Sequence, residues 1–331
     1  MSKVVKTMLR GAMAAALVAG LAAHADASEI TLKAVSAFPK THKNTKGFLD
    51  YIAAVNKDGK GLVHIKYIGG PEVAPPPQQP VALRNGLFDL QFGPSAYYLG
   101  MFPEGDFTGV LKPPEARKLG GYKLVDQLMR KEIGAHFIGR FYSGLGLYMS
   151  LPSKPTFRAD GLPDLHGLKM RSSPAYRDFI KMLGGTPVVM SIRQIYTALE
   201  RGVVDGACGD LDTQVEMGLT KFLHYTIEPP FNMAGILMIA NAKKWDSLPQ
   251  KVRSFLTSEA HKYEKITMDV VTARTKHTKA ELSKQGVTFI QLKGKTAQHF
   301  VDSYMKTPWG RMANNPKVGP KVTAELHKAW Y

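Results

Sequence analysis

Hydrophobic and polar residues alternate from Ile30 to Val35 and again from Leu62 to Ile68, which predicts two strands, each with one face turned to a core. Between them, Gly47 to Val55 has the three- and four-residue spacing of a helix. Leu168 to Arg171 and Pro187 to Met190 are two further short strands. Ser173 as a cap, Pro174 at a first helical position and Gly184-Gly185 as a stop place a helix between them. Ser191 and Gln194 then have capping-box spacing for a helix that ends at Gly202. Strands and helices alternating at such short intervals indicate α/β winding. The longest pattern is Gln250 to Gln285, 36 residues with no proline or glycine. In it Val252, Leu256, Tyr263, Ile266, Val270 and Ala273 recur at spacings of three, four and seven. One helix of that length measures ~54 Å, whereas a lobe of ~150 residues is less than ~40 Å across. The helix is therefore expected to cross two lobes; the alternative is two shorter helices joined by a tight polar turn.

A second regularity concerns position in the chain. The pattern A-L-x-x-G-x-x-D-x-x-x-G runs from Ala82 to Gly93 and again from Ala198 to Gly209, 116 residues later. Each copy has the form of a last helical turn, a glycine stop, a short strand and a loop opened by a second glycine. In open α/β sheets, ligands bind where such strands end. Two copies predict two similar lobes, each giving one strand-end loop to a cleft, which is the architecture of a solute-binding protein. With 331 residues there is room for both cores. The expected division is 28–148 with about 235–262 in lobe I and 149–234 with about 287–331 in lobe II, the helix over 250–285 crossing both. The fold class is α/β, a two-lobed periplasmic-binding-protein fold that closes around its ligand by hinge bending.

The first 27 residues differ from the rest. Lys3, Lys6 and Arg10 precede an uncharged, mostly apolar stretch from Gly11 to Ala23, then Ala23-His24-Ala25 and Ala25-Asp26-Ala27. This order is that of a cleaved secretory signal peptide, and the apolar run falls short of the ~20 residues that span a bilayer. Cys208 is the single cysteine, so no intramolecular disulfide is available and Cys208 lies too far along to be an acylated first residue. The expected location is the periplasm. With 44 Lys+Arg against 27 Asp+Glu the chain carries +17 at pH 7, which favours anionic partners. The charges are scattered, with no Lys/Arg block interleaved with aromatics, so an anionic solute is expected and nucleic acid is not. Ten histidines show no H-E-x-x-H or Cys/His pairing, and neither G-x-S-x-G nor a P-loop occurs. No catalytic set assembles from adjacent motifs, so no enzyme and no cofactor are expected. The alternatives are a periplasmic enzyme on the same fold or a ligand-sensing receptor for a signalling system.

Three stretches resemble a known family. Asp164 to Arg171 (DLHGLKMR) is similar to D-L-x-G-L-K-x-R; Leu183 to Gly206 is similar to L-G-x-x-P…Y-x-A-L-x-x-G-V-V-D-G; Asn241 to Gln250 resembles the lead into a long hinge-spanning helix. The family is that of the extracytoplasmic solute receptors of tripartite ATP-independent periplasmic (TRAP) transporters, dicarboxylate-receptor type. The resemblance implies a carboxylate ligand, delivery to the membrane permease subunits of such a transporter, and Arg171 as the anchor. A guanidinium offers two parallel donors to a carboxylate. Phe141 to Tyr148 lacks the second arginine of many relatives, and Gly209 stands roughly where they have an asparagine. With Phe38, Tyr97, Tyr98 and Tyr142 near strand ends, a monocarboxylate with a bulky apolar or aromatic part is expected. Arg171, Phe38, Ser95, Tyr97, Tyr98, Tyr142, Met190, Gly209, Asp210 and Asn232 form the expected ligand set. No metal is expected; Asp210 and Asp212 are the alternative, as a pair holding a cation that bridges to the ligand. A monomer is expected, with a dimer as the alternative.

Overall fold

The alternation that begins at Ile30 becomes the centre of one half of a mixed sheet, with Leu32 and Ala34 fully buried beneath a helix. The computed structural model describes residues 29–107 and 113–330; the leader expected over 1–27 lies outside them. In chain order the strands are β1 (Ile30–Ser36), β2 (Val63–Gly69), β3 (Leu90–Gly93), β4 (Ala135–Leu151), β5 (Thr156–Phe157), β6 (Pro163–Asp164), β7 (Lys169–Ser172), β8 (Thr186–Val189), β9 (Gly206–Gly209), β10 (Tyr225–Asn241) and β11 (Thr288–Gln291). The α-helices are α1 (Lys43–Asp58), α2 (Gln79–Arg84), α3 (Pro113–Lys118), α4 (Gly121–Ile133), α5 (Arg177–Met182), α6 (Ile195–Glu200), α7 (Leu211–Glu216), α8 (Ala242–Ser247), α9 (Gln250–Lys284), α10 (Gly294–Ala313) and α11 (Gly319–Trp330).

The sheet order is β2-β1-β3-β10-β4-β9-β7-β8, with β11 beside β10 and β5-β6 forming a separate hairpin. The two ends mirror each other. On one side β1 pairs in parallel with β2 and β3; on the other β7 pairs in parallel with β8 and β9. The long strands β4 and β10 join them through antiparallel pairings.

The sequence repeat sits at equivalent places in the two ends and makes the same bonds. Gly86 (φ 79°) and Gly202 (φ 66°) stop α2 and α6 in the left-handed region that glycine tolerates best. The Asp89 carboxylate then accepts the Lys33 N–H at 2.7 Å, and the Asp205 carboxylate accepts the Lys169 N–H at 2.7 Å. Each aspartate thus ties the start of its own strand to the neighbouring strand of its half. We expect Asp89→Ala and Asp205→Ala to cost alike, about 1 kcal/mol each, measured by urea unfolding; a loss in only one of them would break the equivalence.

The predicted long helix is a single unbroken helix, α9. Val252, Leu256, Ala260 and Val271 pack into a core with Phe48, Tyr51, Phe92 and Phe141. Leu282, near its other end, packs with Tyr148, Leu211 and Val287. The helix touches α1 on one side and α7 on the other, running along β4 between them.

The tail differs from the expected division. Phe300 and Tyr304 of α10 join the core of Phe179 and Phe231, on the β7–β9 side. Met312, Val318 and Leu326 instead join Val125, Met129 and Ile133, on the β1–β3 side. The apolar face of α11 closes over α4, so 287–331 is shared between the halves. Among the described residues no helix is long and apolar enough to cross a membrane.

Candidate functional site

Arg171 is the third residue of β7, paired with Val188 of β8 and Ala207 of β9. Its side chain reaches the carboxyl ends of these parallel strands and is only 3% exposed. One Nη1 donates to the Tyr176 hydroxyl at 2.6 Å and the Cys208 carbonyl at 2.8 Å, and Nη2 donates to the Met190 carbonyl at 3.0 Å. Tyr176 in turn donates to the Cys208 carbonyl at 2.9 Å. These acceptors are all neutral. The buried Nε–H has no partner, and no carboxylate lies within ion-pair distance of the guanidinium, among the described residues. A buried charge that is hydrogen-bonded but not neutralised is costly. It is held in place by backbone carbonyls, and it can take an anion.

The guanidinium lines a cavity of about 100 Å³. Phe38, just past β1, and Pro94, Ala96 and Tyr97, just past β3, face it from the other half. Leu145 and Leu147 of β4 and Asn232, Ala234 and Ile236 of β10 also line it, with Asn44, Ser173, Tyr176, Ile192, Gly209, Asp210, Thr213 and Tyr304 among the rest. The ends of both parallel triplets therefore meet at one place, as the repeat predicts. Burial raises the Tyr97 phenol above its usual range; Arg171 opposes that shift and Asp210 adds to it. Burial likewise pushes the Cys208 thiol up to about 12, with Arg171 opposing, so this cysteine is no nucleophile at neutral pH.

Of the expected ligand residues, Arg171, Phe38, Tyr97, Gly209, Asp210 and Asn232 line this cavity. Met190 contributes its carbonyl to Arg171, while its side chain packs beside Ile195 and Leu199. Three residues lie elsewhere. Ser95 is buried and its hydroxyl donates to the Gly105 carbonyl at 2.7 Å, folding the loop on itself. Tyr98 is buried in the core of Val35 and Phe102, whereas Tyr97 packs at the edge of that core and reaches the cavity. Tyr142 adopts a left-handed backbone (φ 52°), and its hydroxyl accepts the Gly47 N–H at 2.8 Å. A Cβ at Gly47 would come within 2.6 Å of that hydroxyl, so the close approach needs glycine there. Tyr142 thus braces α1 against β4 under the Arg274 guanidinium, 5.1 Å above its ring.

The cation pair suggested for Asp210 and Asp212 does not form. Asp210 caps α7, accepting from the Thr213 N–H and hydroxyl. Asp212 is buried against Arg274 Nε at 2.6 Å and the Thr278 hydroxyl at 2.7 Å. Among the described residues no group of three or more His, Cys, Asp or Glu could hold a metal ion. Sequence reasoning missed Asn44, Tyr176 and Tyr304. Tyr176 was within reach, five residues past Arg171 at the end of the same motif. Tyr304 comes from α10, and no local pattern marks it.

Residues 159–314 match the family model of the bacterial extracellular solute-binding proteins, family 7. Over this stretch, a little under half of its length, the chain resembles that family. Its members include the solute-binding receptors of TRAP transporters, which bind small molecules and work with membrane permeases. The chain is 27% identical over 259 residues to the C4-dicarboxylate-binding periplasmic protein DctP of Rhodobacter capsulatus, covering 75% of each chain. Its fold is that of DctP7 of Bordetella pertussis, an extracytoplasmic solute receptor binding pyroglutamic acid (TM-score 0.76, 17% identity, 91% of this chain and 99% of that one). A TRAP periplasmic solute-binding protein of Rhodoferax ferrireducens with bound malonate is equally similar (TM-score 0.76, 18% identity, 90% and 98%). The family is one of transport binding proteins and not of enzymes.

Proposed function

We propose that this receptor captures a monocarboxylate in the cavity at Arg171, in the periplasm, and delivers it to a TRAP-type permease. The observation that carries the reading is the guanidinium itself: buried, positioned by three neutral acceptors, without a carboxylate partner among the described residues, and lining a cavity. An incoming carboxylate supplies the missing charge and accepts from the remaining N–H groups. The walls fit an apolar or aromatic body, since Phe38, Tyr97, Leu145, Leu147, Ile192 and Ile236 line the cavity. On the order of 10–15 Å³ of such space holds one water, so the cavity is scaled to a small organic acid.

The basic leader and apolar run at the start of the chain support export, and the positive net charge supports attraction of an anion. Two lobes, one around β1–β3 and one around β7–β9, would close on the ligand about β4, β10 and α9. Phe38 and Tyr97 from one lobe and Arg171 from the other supply contacts that exist only when the lobes are together, and such contacts alone let a ligand favour closure. A heat-stability panel of organic acids, each paired with its neutral amide, tests the proposal. At least one acid should stabilise the protein saturably, by about 2.7 kcal/mol at a hundred times its Kd, without being converted. Stabilisation by amides as strong as by acids, or none by any acid, would refute it.

A further inference from the structure

Arg171 is not the only charged group in the cavity lining; Asp210 is there too. Three carboxylates follow β9 in quick succession, and two are engaged by groups from other parts of the chain. Asp212 is paired with Arg274, and Glu216 lies 3.5 Å from His42 Nε2 while accepting the Lys43 N–H. Asp210 has no cationic partner among the described residues. Its oxygens accept one bond each, from the Thr213 N–H at 2.9 Å and the Thr213 hydroxyl at 2.8 Å. A carboxylate has about four lone-pair positions, so Asp210 can accept from a further donor. The rest of the lining is mainly aliphatic and aromatic, with Asn44, Ser173, Thr213 and Asn232 as its polar side chains besides the tyrosines.

We propose that Asp210 determines which acids this receptor holds, by accepting a hydrogen bond from an N–H or O–H group of the bound acid and rejecting acids that bring a second carboxylate. This inference rests on the carboxylate reading of Arg171. With the ligand's carboxylate at the guanidinium, whatever approaches the partly buried Asp210 meets a negative charge in the cavity wall. A donor is favoured there, and a second anion is repelled. The substrate class is then a hydroxy-, amino- or lactam-type monocarboxylic acid, and simple dicarboxylates are excluded.

The test uses two matched trios: mandelate, phenylacetate and phenylmalonate, then lactate, propionate and methylmalonate. Within a trio only one substituent changes, from hydroxyl to hydrogen to carboxylate. Calorimetric titration of the wild-type protein should give the hydroxy acid an advantage of roughly 10- to 100-fold over the parent acid, the value of a hydrogen bond to a charged acceptor. The dicarboxylate should bind weakest. Asp210→Asn keeps the side-chain oxygen that caps α7, so unfolding should be little changed. In that variant the hydroxyl advantage should shrink and the dicarboxylate should gain about 10-fold or more. Parent and hydroxy acid binding alike in the wild type, or dicarboxylate affinity unmoved in Asp210→Asn, overturns this inference while leaving the role of Arg171 standing. Failure of all six acids to bind the wild type overturns the carboxylate reading and this inference together.

Discussion

Arg171→Ala should weaken carboxylate binding by a factor of about 30 or more while leaving the protein folded. Removing one partner of a desolvated charge pair costs roughly 2–5 kcal/mol. In the unliganded protein the lost bonds go to Tyr176 and to two backbone carbonyls, and Tyr176 keeps its bond to Cys208. The fold therefore depends less on this guanidinium than the ligand does. Arg171→Lys should recover only part of the affinity, because an ammonium cannot serve Tyr176, Cys208 and Met190 and still present a two-donor edge. Titration of both variants with the acid selected by the stability panel decides the matter, and near-normal affinity in Arg171→Ala would remove the assignment.

The largest effect on stability is expected at Glu264, in the middle of α9. Its carboxylate is buried, with 2% of the side chain exposed, and is ion-paired with Arg117. It accepts the Tyr122 hydroxyl at 2.6 Å and the Arg140 N–H at 2.7 Å. Burial raises its pKa, and Arg117 opposes that rise. One side chain thus ties α9 to β4, α3 and α4. Glu264→Ala leaves a buried backbone donor and the Tyr122 hydroxyl without their acceptor. We expect a loss of about 3 kcal/mol, the lower end of the range for breaking a buried pair, because Arg117 is a quarter exposed and can return to water. Glu264→Gln, which still offers an oxygen, should lose less. Chemical unfolding measures both; equal losses would mean that charge and not hydrogen bonding holds the helix.

How much of this was legible in the sequence follows from how local each signal is. The repeat fixed β3 and β9 because stop, strand and aspartate lie within a dozen residues of each other. The capping box at Ser191 and Gln194 is present for the same reason. Helix α1 begins at Lys43, ahead of the periodic stretch, because His42 Nδ1 caps it by accepting the Asn44 N–H. Strands β4 and β10 were not legible. Three glycines (139, 144 and 146) interrupt one and Pro229-Pro230 the other, and both are held by long-range pairing. Where the prolines cannot donate, the ladder slips between Ile227 and Asn232, leaving a bulge instead of a break. The cavity shows the same limit. Arg171 and Asp210 stand in readable motifs, whereas which of Tyr97 and Tyr98 faces the cleft is set by a 3₁₀ turn over Ser95–Tyr97. No alternation along the chain reports that choice.

The central claim is that this receptor recognises a carboxylate through Arg171. Its most direct test is calorimetry of one selected acid and its primary amide against the wild-type protein. The account predicts one site per chain, with the acid bound at least about 30-fold more tightly than the amide. Equal affinity for the two would contradict it.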